Sequence, residues 1–143
     1  MSDQPHYDDS LTIALLRARD SVTALFREHV AAAGLTLQQW RVIRALADEP
    51  HLDTSTLAER CVILPPSLTR IINYLLAEGL VEQVATKDRR QRAIKLTPKG
   101  QDCFETVWAT STEKYKIIET HFGADEIRDL VTSLNRLRMV LDQ

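Results

Sequence analysis

Apolar residues recur along the chain with two different periods. From Leu11 to Val30 the positions Leu11, Leu15, Val22, Leu25, Phe26 and Val30 return close to every 3.6 residues, the signature of a helix with one buried face. Ser10 stands before this run as an N-cap and Gly34 after it as a stop. Residues 1–9, polar and acidic, are expected to be a flexible N-terminus. A second helix is predicted from the cap Thr36 to about Asp48, with Leu37, Trp40, Ile43 and Leu46 on one face and Pro50 ending it. A third short helix, TSTLAERC, starts at Asp53 or Thr54. After the connector Val62–Leu64, the Pro65-Pro66 pair suits the first turn of a fourth helix. That helix is expected over Ser67–Glu78, burying Leu68, Ile71, Ile72 and Leu75, with Gly79 at its end. The period then drops to two. Leu80–Val84 and Ala93–Leu96 are short alternating runs on either side of a basic stretch, which predicts a β-hairpin. Thr97 and Pro98 restart helix, as cap and first residue, through Phe104, Val107, Trp108, Tyr115 and Ile118 to about Thr120. Gly123 and Ala124 break it, and a sixth helix carries Ile127, Leu130, Val131, Leu134, Leu137, Val140 and Leu141.

This is a mainly α chain of six helices with one small β-hairpin. Its 143 residues, 44% of them hydrophobic, suit one domain with its own core or one domain plus a dimerisation extension. No run approaches the ~18 apolar residues of a membrane span. Residues 1–10 lack the features of a secretory signal, so a cytoplasmic protein is expected.

The net charge of −2 conceals an uneven distribution. Residues 34–100 hold ten Lys or Arg against seven Asp or Glu, and Thr86–Lys99 alone holds six cations against Asp88. Local potential governs the encounter with a polyanion more than total charge does. Two short helices, a tight connector, a further helix and a basic hairpin make a winged helix-turn-helix lobe, expected over residues 34–97. A helix fits the major groove of B-DNA, and residues near its N-terminus reach base edges. Ser67, Thr69, Arg70 and Asn73 avoid the apolar face of the fourth helix; Arg and Asn match guanine and adenine edges, while Ser and Thr reach bases or phosphates. The cations of the hairpin, Lys87, Arg89, Arg90 and Arg92, suit the minor groove or the phosphate backbone. Taken alone, the fourth helix is equally an ordinary amphipathic helix; the basic hairpin directly after it favours DNA.

The segment Asp88-Arg89-Arg90-Gln91-Arg92-Ala93-Ile94-Lys95-Leu96-Thr97-Pro98-Lys99-Gly100 resembles the wing signature of MarR-type regulators, D-x-R followed by hydrophobic-x-L-T-x-x-G. The likeness spans about residues 10–141. Ser10–Leu16, Leu35–Arg41 and Cys61–Thr69 further resemble the repressors of homoprotocatechuate (4-hydroxyphenylacetate) degradation operons. The resemblance implies a homodimer joined through residues 10–33 and 98–143, and a pseudo-palindromic double-stranded DNA operator. It assigns Arg90 to the minor groove and Asp88 to orienting it, with Arg89, Arg92 and more loosely Lys87 at phosphates. It also implies a small anionic aromatic effector and repression of a catabolic operon. The apolar first, fifth and sixth helices exceed what one small lobe needs, which independently suggests a partner chain, although burial of the sixth helix within one chain is the competing reading.

A carboxylate effector needs a cation, and its ring needs apolar walls. Arg19 sits beside the apolar stripe of the first helix, among Leu15, Val22 and Phe26. With Phe26, His29, Trp40 and Arg41 it forms the candidate ligand set, which Trp108 and Tyr115 are placed to complete. Each has a plainer reading: Arg19 as an ion pair across a dimer, Trp40 as core. Other chemistries find little support. Cys61 and Cys103 lie among apolar neighbours and read as small buried hydrophobes. His6, His29, His51 and His121 are scattered, so no metal site is expected, and no cofactor motif or catalytic constellation appears. A non-enzymatic regulator is the expectation; the alternatives are a MarR-type regulator answering a different signal (another phenolic, an oxidant or a metal) and a winged helix used for protein contacts.

Overall fold

A computed structural model describes residues 6–85 and 92–143. Six α-helices and a three-stranded antiparallel sheet follow in the order α1 (Leu11–Ala32), α2 (Leu37–Asp48), β1 (Leu52–Asp53), α3 (Thr54–Cys61), α4 (Pro65–Ala77), β2 (Val81–Val84), β3 (Ala93–Leu96), α5 (Pro98–Phe122) and α6 (Ala124–Leu141). No described helix is long and apolar enough to cross a membrane.

Local chemistry sets most of the boundaries. The Ser10 hydroxyl accepts from the Ile13 amide at 3.2 Å and starts α1. Thr36 and Gln39 form a reciprocal capping box at α2, satisfying two otherwise orphaned amides. The Asp53 carboxylate accepts from the Thr56 amide at 2.7 Å and its hydroxyl at 3.0 Å, which caps α3 and holds that carboxyl below its ordinary pKa. Gly34, at φ +81°, takes the left-handed conformation that ends α1.

Four details depart from the expectations above. Tyr7–Asp9, placed in the flexible N-terminus, form a single 3₁₀ turn. Arg17 holds that turn through a 2.7 Å ion pair to Asp8 and a guanidinium 5.6 Å from the Tyr7 ring centre. The fourth helix begins at Pro65 rather than Ser67, because proline fits N1 and N2, where no intrahelical N–H is required. β1 was not anticipated; two residues carry no readable alternation, and only pairing of Leu52 with Ile94 and Asp53 with Ala93 makes them a strand. Finally, α5 runs on to Phe122, and Gly123 at φ +115° separates it from α6, which Ala124 begins rather than interrupts.

Residues up to Trp108 form one compact unit and Ala109–Gln143 a second. In the first, the sheet order is β1-β3-β2, with β2 and β3 in register from Val81 opposite Leu96 to Val84 opposite Ala93. The core lies where α2, α3, α4 and β3 converge, and Ile43, Leu57, Leu68, Leu75 and Ile94 are essentially dry. Gly100 allows α5 to start against this core: a Cβ there would run into the Leu80 carbonyl oxygen. In the second unit, α6 leaves Leu130, Val131, Leu134 and Val140 exposed, and α1 in the first unit likewise exposes Leu11, Leu15, Leu16, Val22 and Leu25.

The turn between α3 and α4 contains the one non-glycine residue at positive φ among those described, Val62 at φ 55° and ψ 51°. A β-branched side chain is disfavoured there by about 1–2 kcal/mol, and Val62, 79% exposed, recovers nothing by burial. Val62→Gly is therefore expected to raise stability by about 0.5–1 kcal/mol, seen as a higher urea midpoint at unchanged m-value. Asp53→Ala is expected to cost about 1 kcal/mol at neutral pH. Because the folded carboxyl titrates below 3.8, that contribution is complete above this value and is lost as the pH falls through the folded pKa. Urea melts of both proteins from pH 7 to pH 2 would show the difference between them closing only in the acid range.

Candidate functional site

Helix α4 presents two chemically distinct sides. Leu68, Ile71, Ile72 and Leu75 are buried, so the opposite side is fixed in orientation by the core rather than by its own propensity. Thr69, Arg70 and Asn73 are exposed on that side and Ser67 is half-buried. Arg70 Nη2 donates to Ser67 Oγ at 3.4 Å, and Thr69 Oγ1 donates to the Pro65 carbonyl at 3.0 Å. No carboxylate pairs with Arg70 among the described residues. The structure thus brings the four expected polar residues of this helix onto one accessible face.

The far end of α4 is tied down. The Tyr74 hydroxyl donates to the Gly34 carbonyl at 2.9 Å, Lys99 Nζ to the Glu78 carbonyl at 2.7 Å, and Thr97 Oγ1 to the Gly79 carbonyl at 2.6 Å. Strands β2 and β3 rise directly after this clamp. Arg92 is exposed at the start of β3, and its carbonyl accepts from the Thr54 amide at 3.1 Å, anchoring that strand beside α3. Lys95 is neutralised by Glu82, its partner in the strand register, at 3.2 Å. Lys87, Asp88, Arg89 and Arg90 lie outside the described residues.

A second feature is built on α2 and the first part of α5. Trp40, buried, stacks on Phe104 with ring centres 5.7 Å apart and planes at 15°, and Phe104 stacks on Trp108 at 5.7 Å and 17°. The Arg44 guanidinium lies 4.8 Å from the Trp108 ring centre, within cation–π range. Beside this aromatic column opens a cleft of about 500 Å³, lined by Arg41, Arg44, Asp48, Arg60, Phe104 and Trp108 among others. Arg60 is committed to Asp48 at 3.0 Å and Glu49 at 3.4 Å, and Arg41 Nη1 donates to the Cys61 carbonyl at 2.7 Å. Arg41 also borders a smaller cleft of about 170 Å³ with Arg19, Arg27, Leu16 and Leu37. There Asp20 pairs with Arg27 at 3.2 Å, whereas Arg19 has no ion pair among the described residues.

The expected ligand set is therefore only partly assembled. Arg19 and Arg41 share the smaller cleft, and Arg41 reaches both. Trp40 lines neither; it backs Phe104 from the core. Phe26 and His29 pack on each other, ring centres 5.8 Å apart, and line neither cleft. Tyr115 belongs to the second unit. Arg44 and Phe104, which line the larger cleft, stood outside the set expected from the sequence. The available signal was spacing: Trp40 and Arg44, like Phe104 and Trp108, are four residues apart and so share a helix face. Burial pushes the Cys61 and Cys103 thiols above their ordinary pKa, which leaves little reactive thiolate. The described residues hold no cluster of three or more metal-ligating side chains.

Comparisons with known proteins place this geometry. Residues 33–91, which include α2, α3, α4 and β2, match the MarR family. The homoprotocatechuate degradative operon repressor of Escherichia coli is 42% identical over 123 residues, covering 85% of this chain and 83% of the relative. The crystal structure of NadR in complex with 4-hydroxyphenylacetate superposes with a TM-score of 0.85 at 36% identity, covering 96% of this chain and 97% of that one. The transcriptional repressor CouR, bound to a 23-mer DNA duplex, gives 0.83 at 25% identity over 96% and 99% of the two chains.

Proposed function

From the premise that this chain belongs to the MarR family of transcriptional regulators, we propose that it is a dimeric repressor of an aromatic-compound catabolic operon, released from a pseudo-palindromic operator by a small aromatic acid. 4-Hydroxyphenylacetate and its catechol analogue, homoprotocatechuate, are the candidate effectors. The observation that carries this reading is the cleft on α2 and α5, where a guanidinium lies over an indole at the end of a stacked aromatic column. An aromatic acid needs a flat apolar wall for the ring and a fixed cation for the carboxylate, and Phe104, Trp108 and Arg44 offer both. The names of two relatives point the same way, one a homoprotocatechuate operon repressor and the other bound to 4-hydroxyphenylacetate.

In this reading residues 34–97 form the DNA-binding lobe, and residues 10–33 and 98–143 join two copies in the cytoplasm. The exposed leucines and valines of α1 and α6 support a partner chain, because a lone protomer would leave them in water. Ser67, Thr69, Arg70 and Asn73 read one major groove per subunit, while Arg90, oriented by Asp88, enters the flanking minor groove. Arg89, Arg92 and Lys87 neutralise phosphates. The effector acts by population shift, favouring a lobe spacing that does not match successive grooves, and only its difference in affinity between the two states counts.

Fluorescence anisotropy on the DNA upstream of its own gene, against scrambled duplex, tests the whole reading. Specific binding is expected to be released by 4-hydroxyphenylacetate or 3,4-dihydroxyphenylacetate. Arg44→Ala should bind the same DNA with unchanged affinity and need roughly 10–100-fold more acid, the weight of one charge-assisted hydrogen bond. Specific binding that ignores both acids would sink the assignment of the effector. No DNA binding at low salt would favour a protein-contact module.

A further inference from the structure

The leading edge of α4 is made of hydrocarbon. Val62 and Leu64 are 79% and 76% exposed, the two most exposed large hydrophobic side chains among the described residues, and Pro65 and Pro66 beside them are exposed too. Unlike the apolar residues of α1 and α6, these four lie on no long helix face. They occupy a three-residue turn and the first two positions of a helix.

A helix N-terminus ordinarily offers four free N–H donors and so attracts phosphate. Here Pro65 and Pro66 at N1 and N2 remove two of the four, and the N-cap is Leu64, which has no side-chain oxygen. Of the first two hydroxyls on the helix, Ser67 Oγ accepts from Arg70 Nη2 at 3.4 Å and Thr69 Oγ1 donates back to the Pro65 carbonyl at 3.0 Å. The tip of the helix is therefore poor in donors and rich in carbon. The backbone is strained here as well, since Val62 holds a left-handed conformation that glycine or asparagine would adopt more easily. Neither the exposure nor the strain contributes to folding.

In B-DNA the base edges of the major groove present hydrogen-bonding groups and one hydrocarbon feature, the 5-methyl group of thymine. Resting on the reading of α4 as the groove-reading helix, we propose that Leu64 packs on a thymine methyl in each half-site, with Val62 and Pro66 flanking it. Leu64 is then a specificity-determining residue that selects thymine over cytosine at the position met by the tip of the helix. Arg70 and Asn73, farther along the helix, read hydrogen-bonding edges. Division of labour along one helix follows: methyl readout at the tip, polar readout behind it.

The test starts from an operator selected by the full-length protein from random-sequence duplexes. Each thymine of the selected half-site is then exchanged singly for deoxyuridine, which keeps the base pair and removes only the methyl. One position is expected to lose about four-fold in affinity per half-site and about fifteen-fold when changed in both, the weight of a buried methyl. In Leu64→Ala the preference for thymine over deoxyuridine at that position should fall below about two-fold while other thymines keep theirs. Leu64→Met, which retains an apolar tip, should keep the preference. Insensitivity of every thymine to loss of its methyl would overturn the proposal, as would a preference that survives Leu64→Ala unchanged. Selection that yields no sequence at all would instead remove the groove-reading role of α4, and this proposal with it.

Discussion

Everything that α4 can do on its outer side depends on how its inner side is buried. Leu68 and Leu75 are almost fully excluded from solvent, and Ile71 and Ile72 nearly so, against a core that includes Ile43, Leu57 and Ile94. Each such side chain contributes roughly 1.5–3 kcal/mol on burial. Turning the helix by one residue, about 100°, would expose that stripe and bury Arg70 or Asn73 without partners. The penalty fixes the rotation of the helix before any ligand arrives. A regulator that reads bases needs that rigidity, because hydrogen-bond geometry to a base edge tolerates little angular error.

The same lobe contains an element common to both candidate sites. Thr97, just before α5, and Lys99 in its first turn hold the Glu78 and Gly79 carbonyls that follow α4, and α5 continues into Phe104 and Trp108, the wall of the larger cleft. Gly100 lets this segment approach the backbone at Leu80. α2 completes the connection, since Trp40 and Arg44 face the aromatic column while Ile43 and Leu46 belong to the core beneath α4. The side chains lining the larger cleft thus sit a few residues from side chains that hold α4 in place.

Electrostatics is arranged by selective neutralisation rather than by net charge. Arg60 is absorbed by Asp48 and Glu49, Lys95 by Glu82, Arg27 by Asp20 and Arg17 by Asp8. Exposed pairs of this kind add little to stability, but they settle which cations stay available. Arg19, Arg41, Arg70 and Arg92 have no carboxylate partner among the described residues. Two of these border the smaller cleft, one lies on the outer side of α4, and one immediately precedes β3. A chain with net charge −2 can therefore still present positive potential where a polyanion or an aromatic acid would meet it.

Much of this was written locally in the sequence. The periods of 3.6 and 2, the caps at Ser10, Thr36 and Asp53, the stops at Gly34 and Pro50 and the outward set on α4 all depend on residues within a turn or two of one another. Such interactions are legible because spacing along the chain fixes spacing in space. What the sequence left open involves partners distant along the chain. β1 exists only through its pairing with β3, forty residues away. Trp40 meets Phe104 across more than sixty residues, and Arg44 comes to lie over Trp108, contacts that no local spacing along the chain could specify. Phe26 and His29 pack on each other. Periodicity says that a side chain faces inward, but which inward-facing side chains touch is decided when helices pack, and only the folded chain carries that information.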